Sequence, residues 1–256
     1  SGLIGFFVTL IVKQVLMAII LPKKPIKPES QNPKKLFLYS QPKCGKTTAL
    51  AQLEGCLIID LESGSDYVEA LKVKATNLQE LSEVFQAIKD EGCPYKYIAL
   101  DTVTKLEEMV LPLAKQLYMM TPMGKSFTGD NVLTLPNGAG YLYLREAFFK
   151  VLNQLYTLAP HIILVGHLKD KSIEKNGQEL TAKDIDLTGK IRSLSAADVD
   201  AIAYMYRKDK DVRVSFQSSD EVICGARPEH LKGQDLVLST LTDGTVKTFW
   251  NRIFIN

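Results

Sequence analysis

Ser40-Gln41-Pro42-Lys43-Cys44-Gly45-Lys46-Thr47-Thr48 sets a small residue, a loop closing in glycine, a lysine and two hydroxyls in the spacing that polyphosphate binding needs. In such a loop the backbone N–H groups point at phosphate oxygens, the lysine reaches the outer phosphates and a hydroxyl sits on Mg²⁺, while the helix that follows favours anions at its start. Lys46 and Thr47 fill the lysine and hydroxyl roles, and Ser40 to Thr48 as a whole is expected to cradle ATP. Ser40 stands where the first glycine usually is, and is small enough to make the same turn. Cys44, among oriented amides, is expected to be an acidified, reactive thiol that ATP protects.

Two carboxylates and a histidine extend this chemistry. Asp101 closes the apolar run Tyr97-Ile98-Ala99-Leu100 about fifty residues further on, the arrangement that holds Mg²⁺ through its water shell. Leu57-Ile58-Ile59 runs into Asp60-Leu61-Glu62, with the two acids at alternate positions on one side. Glu62 is the candidate for polarising the attacking water, which requires a carboxylate within one water of the γ-phosphate. His167 ends the run Ile162-Ile163-Leu164-Val165-Gly166 and is the candidate γ-phosphate sensor. The competing readings are a solvated acid at Glu62 and a structural histidine at His167.

Elements that could position these groups follow from the periodicity. Strands are expected at Leu36–Ser40, Leu57–Asp60, Tyr97–Asp101 and Ile162–Gly166. Helices are expected at Thr47–Leu53, Leu78–Glu91, Lys105–Tyr118 and Tyr141–Tyr156, with Thr104 and Glu107 as a capping box. This is an α/β fold, a mostly parallel central sheet flanked by helices. An antiparallel hairpin, Ala201–Tyr206 with Val212–Phe216, is expected on the sheet edge. Met119–Gly140 and Lys169–Arg192 read as loops too long to be mere connections, and both follow elements ending at the carboxyl edge, where α/β sheets gather ligands.

The chain has 256 residues, 46% of them hydrophobic, enough for one full core. A net charge of +2 gives no global case for nucleic acid, so such a partner would need local loops. Cys44, Cys56, Cys93 and Cys224 lie far apart without CxxC or histidine pairing, which argues against a disulfide framework or zinc site and for a reducing, cytoplasmic setting. Residues 1–33 form an apolar segment and a Pro/Lys-rich linker, and residues 34–256 the catalytic domain. Leu3 to Leu21 has the length of a membrane span, but Lys13 falls mid-span, where a charge costs about 2.5–3.5 kcal/mol, so a membrane is not the expected partner. Translated sequence ahead of a natural start at Met17, or packing on a neighbouring subunit, are the other readings, and Ser1-Gly2 reads as a cloning remnant.

These motifs in this order resemble the ATPase core of the RecA family. The resemblance is carried by Gly45-Lys46-Thr47-Thr48, Ile59-Asp60-Leu61-Glu62, Ala99-Leu100-Asp101-Thr102-Val103, Val165-Gly166-His167-Leu168-Lys169 and Leu187-Thr188-Gly189-Lys190, and spans residues 34 to 228. In size, and in Asp60-Leu61-Glu62-Ser63-Gly64-Ser65 and Gly225-Ala226-Arg227-Pro228, the chain is similar to phage-encoded, single-domain ATPases that act in single-strand annealing. The resemblance implies a RecA-like P-loop NTPase, a ring or filament of identical subunits with ATP and Mg²⁺ at their interfaces, and catalytic roles for Glu62, Lys46 and His167. It further implies two disordered loops gripping single-stranded DNA, with Lys125 and Phe127 in the first and Lys169, Lys171, Lys190 and Arg192 in the second. Arg207 and Arg227 are candidates for a cation acting across the subunit boundary. A single-strand-binding protein as working partner and a host cytoplasm also fit.

His167 departs from the glutamine common in RecA-type recombinases, and the second loop sets six basic residues against five acidic ones. A loop so balanced binds DNA through repeated weak contacts in an oligomer, if at all. The rival reading is an ATP switch that controls protein assembly without touching DNA, and a third is a membrane-tethered ATPase.

Overall fold

The computed structural model describes residues 21–256 apart from Asn176, so the apolar stretch before Leu21 lies outside the described residues. In chain order the strands are β1 (Lys35–Ser40), β2 (Cys56–Asp60), β3 (Lys72–Lys74), β4 (Tyr97–Asp101), β5 (His161–Lys175), β6 (Gln178–Ile185), β7 (Ala201–Lys208), β8 (Asp211–Ser215), β9 (Gly225–Ala226), β10 (Asp235–Thr242) and β11 (Thr245–Thr248). The helices are α1 (Lys46–Ala51), α2 (Leu78–Asp90), α3 (Val103–Met109), α4 (Leu111–Met119), α5 (Gly140–Leu155) and α6 (Gly189–Asp198).

The sheet runs β11-β10-β8-β7-β1-β5-β4-β2-β3, with β6 paired to β5 and β9 to β7. From β7 to β3 the neighbours on this path are parallel. β2 and β4 are buried along their whole length, which is why they read as continuous apolar runs rather than as alternating ones. Each strand sends successive side chains to opposite faces. On one face Phe37, Ile59, Leu100 and Leu164 meet Leu81 and Phe85 of α2, Leu106 of α3 and Phe148 of α5. On the other Leu38, Ile58, Ala99 and Val165 meet Leu50 of α1 and the C-terminal Trp250 and Ile253.

The α/β class and the mostly parallel sheet match the expectation, and the differences have physical causes. The expected helix Lys105–Tyr118 is two helices, α3 and α4, because Pro112 cannot donate to the carbonyl of Glu108. The cap of α3 is Thr102, whose Oγ1 accepts from Lys105 N at 3.1 Å, so the helix begins two residues earlier than a Thr104–Glu107 box would allow. Thr104 Oγ1 instead accepts from His167 N at 3.1 Å. The β7–β8 hairpin is not at the edge: β7 lies beside β1, and the sheet continues through β8 to β10 and β11. The Asp243-Gly244 turn, with φ of 49° and 75°, joins β10 to β11, a hairpin that the sequence reading did not anticipate although Asp-Gly is its usual signal.

The second long loop is the largest correction. β5 runs past Gly166 to Lys175 and pairs antiparallel with β6, and Gly189 opens α6. Three of its cations are matched to acids: Lys183 Nζ lies 2.6 Å from Asp170 and Lys169 Nζ 3.7 Å from Asp186, while Arg192 pairs with the buried Asp184. The first loop is also packed in part. Short 3-10 turns span Val132–Thr134 and Pro136–Gly138, and a Cβ at Gly140 would sit 2.0 Å from Val132 O, so only glycine allows that approach. Among the described residues no helix is long and apolar enough to cross a membrane.

Candidate functional site: a phosphate loop and an acid–histidine pair

Parallel register brings the candidate residues to one level. Asp60 faces Asp101, Asp101 faces Val165, and Ser40 faces His167, so the ends of β2, β4 and β1 line up with His167 of β5 along the carboxyl edge. From Ser40 the chain curls through Lys43 at φ 61° and Gly45 at φ 102° into α1. These left-handed residues turn the backbone into a concavity that suits an anion.

Lys46 is buried and reaches Ser40 Oγ at 2.9 Å and Gln41 O at 3.2 Å, and Ser40 Oγ donates to Gln41 O at 2.8 Å. Ser40 is therefore more than a small turn residue: its hydroxyl holds the ammonium beside the loop. Burial pulls the Lys46 ammonium below its ordinary pKa, with Asp101, Cys44 and Glu62 pulling it back up. Thr47 Oγ1 donates to Asp101 Oδ2 at 2.8 Å. Burial pushes Asp101 up, against the opposing Thr47 hydrogen bond and Lys46 charge. A hydroxyl and a carboxylate touching beside a phosphate loop are hard oxygen donors, a set that fits Mg²⁺. Gln41, Pro42 and Lys43 are exposed, and Thr48 is half-buried.

Glu62 and His167 meet. His167 Nε2 lies 3.0 and 3.1 Å from the two Glu62 oxygens, and Thr102 Oγ1 donates to Glu62 Oε1 at 2.7 Å. The His167 hydrogen bond, ahead of the opposing cost of burial, holds Glu62 below the ordinary carboxylate range. Among the described residues His167 Nδ1 is buried without a partner. With the hydrogen on Nε2 the ring donates to Glu62 and strands no proton at Nδ1, so the contacts favour that tautomer.

Asp60 is not free to act beside Glu62 as a second acid. It accepts from Glu62 N at 2.9 Å, Gly64 N at 3.2 Å, Ser65 N at 2.8 Å and Ser65 Oγ at 2.5 Å. Burial alone would raise Asp60, but these four hydrogen bonds outweigh it and leave the carboxyl below its ordinary value. Asp60 thus shapes the turn that carries Glu62. Thr102 was missed by sequence reasoning, although a hydroxyl directly after Asp101 was the available signal.

Cys44 corrects another expectation. The thiol is buried, and burial pushes it up despite help from Ser40, Lys46 and Arg207. Cys56 is pushed up to about 12 and Cys224 to about 11, leaving Cys93 the one thiol that is not buried. Maleimide at neutral pH is expected to label Cys93 first and Cys44 only after denaturation, with or without Mg·ATP. Peptide mass spectrometry over time checks this, and rapid native labelling of Cys44 would contradict its burial.

The remaining candidates separate. Phe127 packs edge-on against Tyr118 with centroids 5.3 Å apart, and Lys125, Lys171 and Lys190 are exposed. Arg227 pairs with Asp200 at 3.2 Å and donates to Ala197 O at 2.8 Å, at the amino end of β7, opposite the phosphate loop. Arg207 lies beside the loop of its own chain.

Residues 32–243 match the family described as AAA domain, AAA_24. The chain belongs to that family. The match takes in every group of the site, from Ser40 to His167, so the AAA domain is the unit that carries it. Comparison with curated proteins finds no match. Among solved structures, this AAA domain is similar to the RadB recombinase, with 10% identity, a TM-score of 0.47, and coverage of 86% of this chain and 93% of that one. It is also similar to a KaiC-like protein from Pyrococcus horikoshii OT3, with 12% identity, a TM-score of 0.45, and coverage of 84% and 88%. Neither likeness assigns a role to a residue.

Proposed function

We propose that this AAA domain hydrolyses ATP with Mg²⁺ and works as a homo-oligomer, ring or filament, on single-stranded DNA, in recombination or strand annealing of the phage type. The nucleotide half rests on one observation above others: Lys46, the Thr47–Asp101 pair and the Glu62–His167 pair line one edge at matching strand ends. Thr47 and Asp101 would hold Mg²⁺, which supplies charge neutralisation on the phosphates. Glu62 in the His167 hydrogen bond is a weakened base. A γ-phosphate oxygen that draws the Nε2–H away from Glu62 would restore its basicity next to the attacking water. His167 thereby senses the phosphate and releases the base.

The DNA half rests on the RecA-like resemblance and on exposed cations. A second reading, an ATP switch without DNA, is favoured by the ion pairs that consume Lys169, Lys183 and Arg192. Lys125, Lys171 and Lys190 are exposed, and among the described residues no carboxylate pairs with them. Replacing these three with alanine is expected to weaken single-stranded DNA binding and to flatten the log–log salt slope by about 2, at roughly 0.7 per phosphate. Fluorescence anisotropy with an ATP analogue present, and oligomer size followed by light scattering, checks this. An unchanged slope, or no DNA binding by the assembled wild type, selects the switch.

A further inference from the structure

β7 runs beside β1 through the pairing of Tyr39 with Tyr204, then continues past the end of β1 to Lys208 before turning into β8. The hairpin therefore overhangs the phosphate loop, on the side of β1 away from β5, β4 and Asp101. Ala203 and Met205 point to the α1 face, and Arg207 follows them at the next alternate position, beyond the covered core. Arg207 Nη2 lies 3.4 Å from where a Cβ on Gly45 would stand, and Val212 Cγ2 lies 3.7 Å from the same point.

This guanidinium is exposed, and among the described residues no carboxylate pairs with it, whereas Arg192, Arg213 and Arg227 are each matched to an aspartate. It stands over a loop that already holds the buried Lys46. Two cations flanking one concavity, neither of them in contact with a carboxylate among the described residues, form an arrangement that an anion between them would complete. The γ-phosphate end of the site is marked by Asp101, Glu62 and His167, across β1 from Arg207.

We infer that Arg207 binds the nucleotide in its own subunit, giving its guanidinium to a phosphate on the nucleoside side of the loop. This rests on the ATP reading above, and it differs from the role across a subunit boundary that the sequence suggested.

The test is an equilibrium titration of Mg·ATP and of ADP on wild type, Arg207→Ala and Arg207→Lys. Because ADP keeps the inner phosphates, Arg207→Ala is expected to weaken both nucleotides by a similar factor, about tenfold to a hundredfold, as for other charge-assisted hydrogen bonds. Arg207→Lys should recover part of the loss, which separates lost charge from lost fold. Equal affinities for wild type and Arg207→Ala would overturn the inference while leaving the ATP reading in place. A wild type that binds neither nucleotide would overturn both. The second arm mixes Arg207→Ala with Lys46→Ala protein and measures hydrolysis. At an ATP concentration that saturates wild type but not Arg207→Ala, a cation acting within its own subunit gives the mixture no more turnover than its Arg207→Ala component alone, whereas turnover above that level would place Arg207 across the boundary and reject the inference.

Discussion

Lys46→Ala is expected to lower ATP affinity by about a hundredfold or more without unfolding the protein. The ammonium supplies two or more charge-assisted hydrogen bonds to outer phosphates, each worth about 1.5–3 kcal/mol. Among the described residues its hydrogen bonds go to Ser40 Oγ and Gln41 O, and no carboxylate touches it. Its burial is unfavourable, as the downward pull on its pKa records, so truncation relieves a desolvation cost while losing two hydrogen bonds. Unfolding free energy should stay within about 1 kcal/mol of wild type. Calorimetric titration with Mg·ATP and a denaturant melt measure the two effects. Wild-type affinity in the variant would remove the phosphate-loop assignment altogether.

Glu62→Gln should separate binding from chemistry, with ATP affinity near normal and turnover down by about 10² to 10⁴. The amide keeps the shape of the carboxylate and can still accept from Thr102 through its oxygen. It cannot deprotonate water. Its NH₂ would face the Nε2–H of His167, and the ring cannot evade this by moving its proton to Nδ1, which is buried without an acceptor. The variant is therefore expected to push His167 aside as well. Single-turnover hydrolysis after confirmed ATP binding checks this, and unimpaired turnover would return Glu62 to a solvated acid.

The phosphate loop was legible because its signal is local: consecutive residues between an apolar strand and a helix. Asp101 and Glu62 were legible as strand ends, and parallel register turned separate ends into one site. The meeting of Glu62 with His167 was not legible, since it depends on β2, β4 and β5 being neighbours in that order. The β5–β6 hairpin was hidden for another reason. Lys169-Asp170-Lys171-Ser172 lacks apolar alternation, because part of this hairpin is held by cross-strand ion pairs rather than by a buried face. A charge count could not show that Lys169, Lys183 and Arg192 were already matched to acids in or next to the same hairpin. Cys44 was misread because motif position carries no information about depth.

The chain has a single tryptophan, and it lies on the back of α1: Trp250 is buried and its Nε1–H donates to Ala49 O at 2.8 Å, beyond Lys46 and Thr47 on the same short helix. All indole emission from this protein thus comes from the joint between the C-terminal turn and the helix that opens at the phosphate loop. Fluorescence read at that wavelength follows the opening of this one joint, and an unfolding curve recorded there reports the nucleotide helix losing its brace rather than an average over the whole sheet.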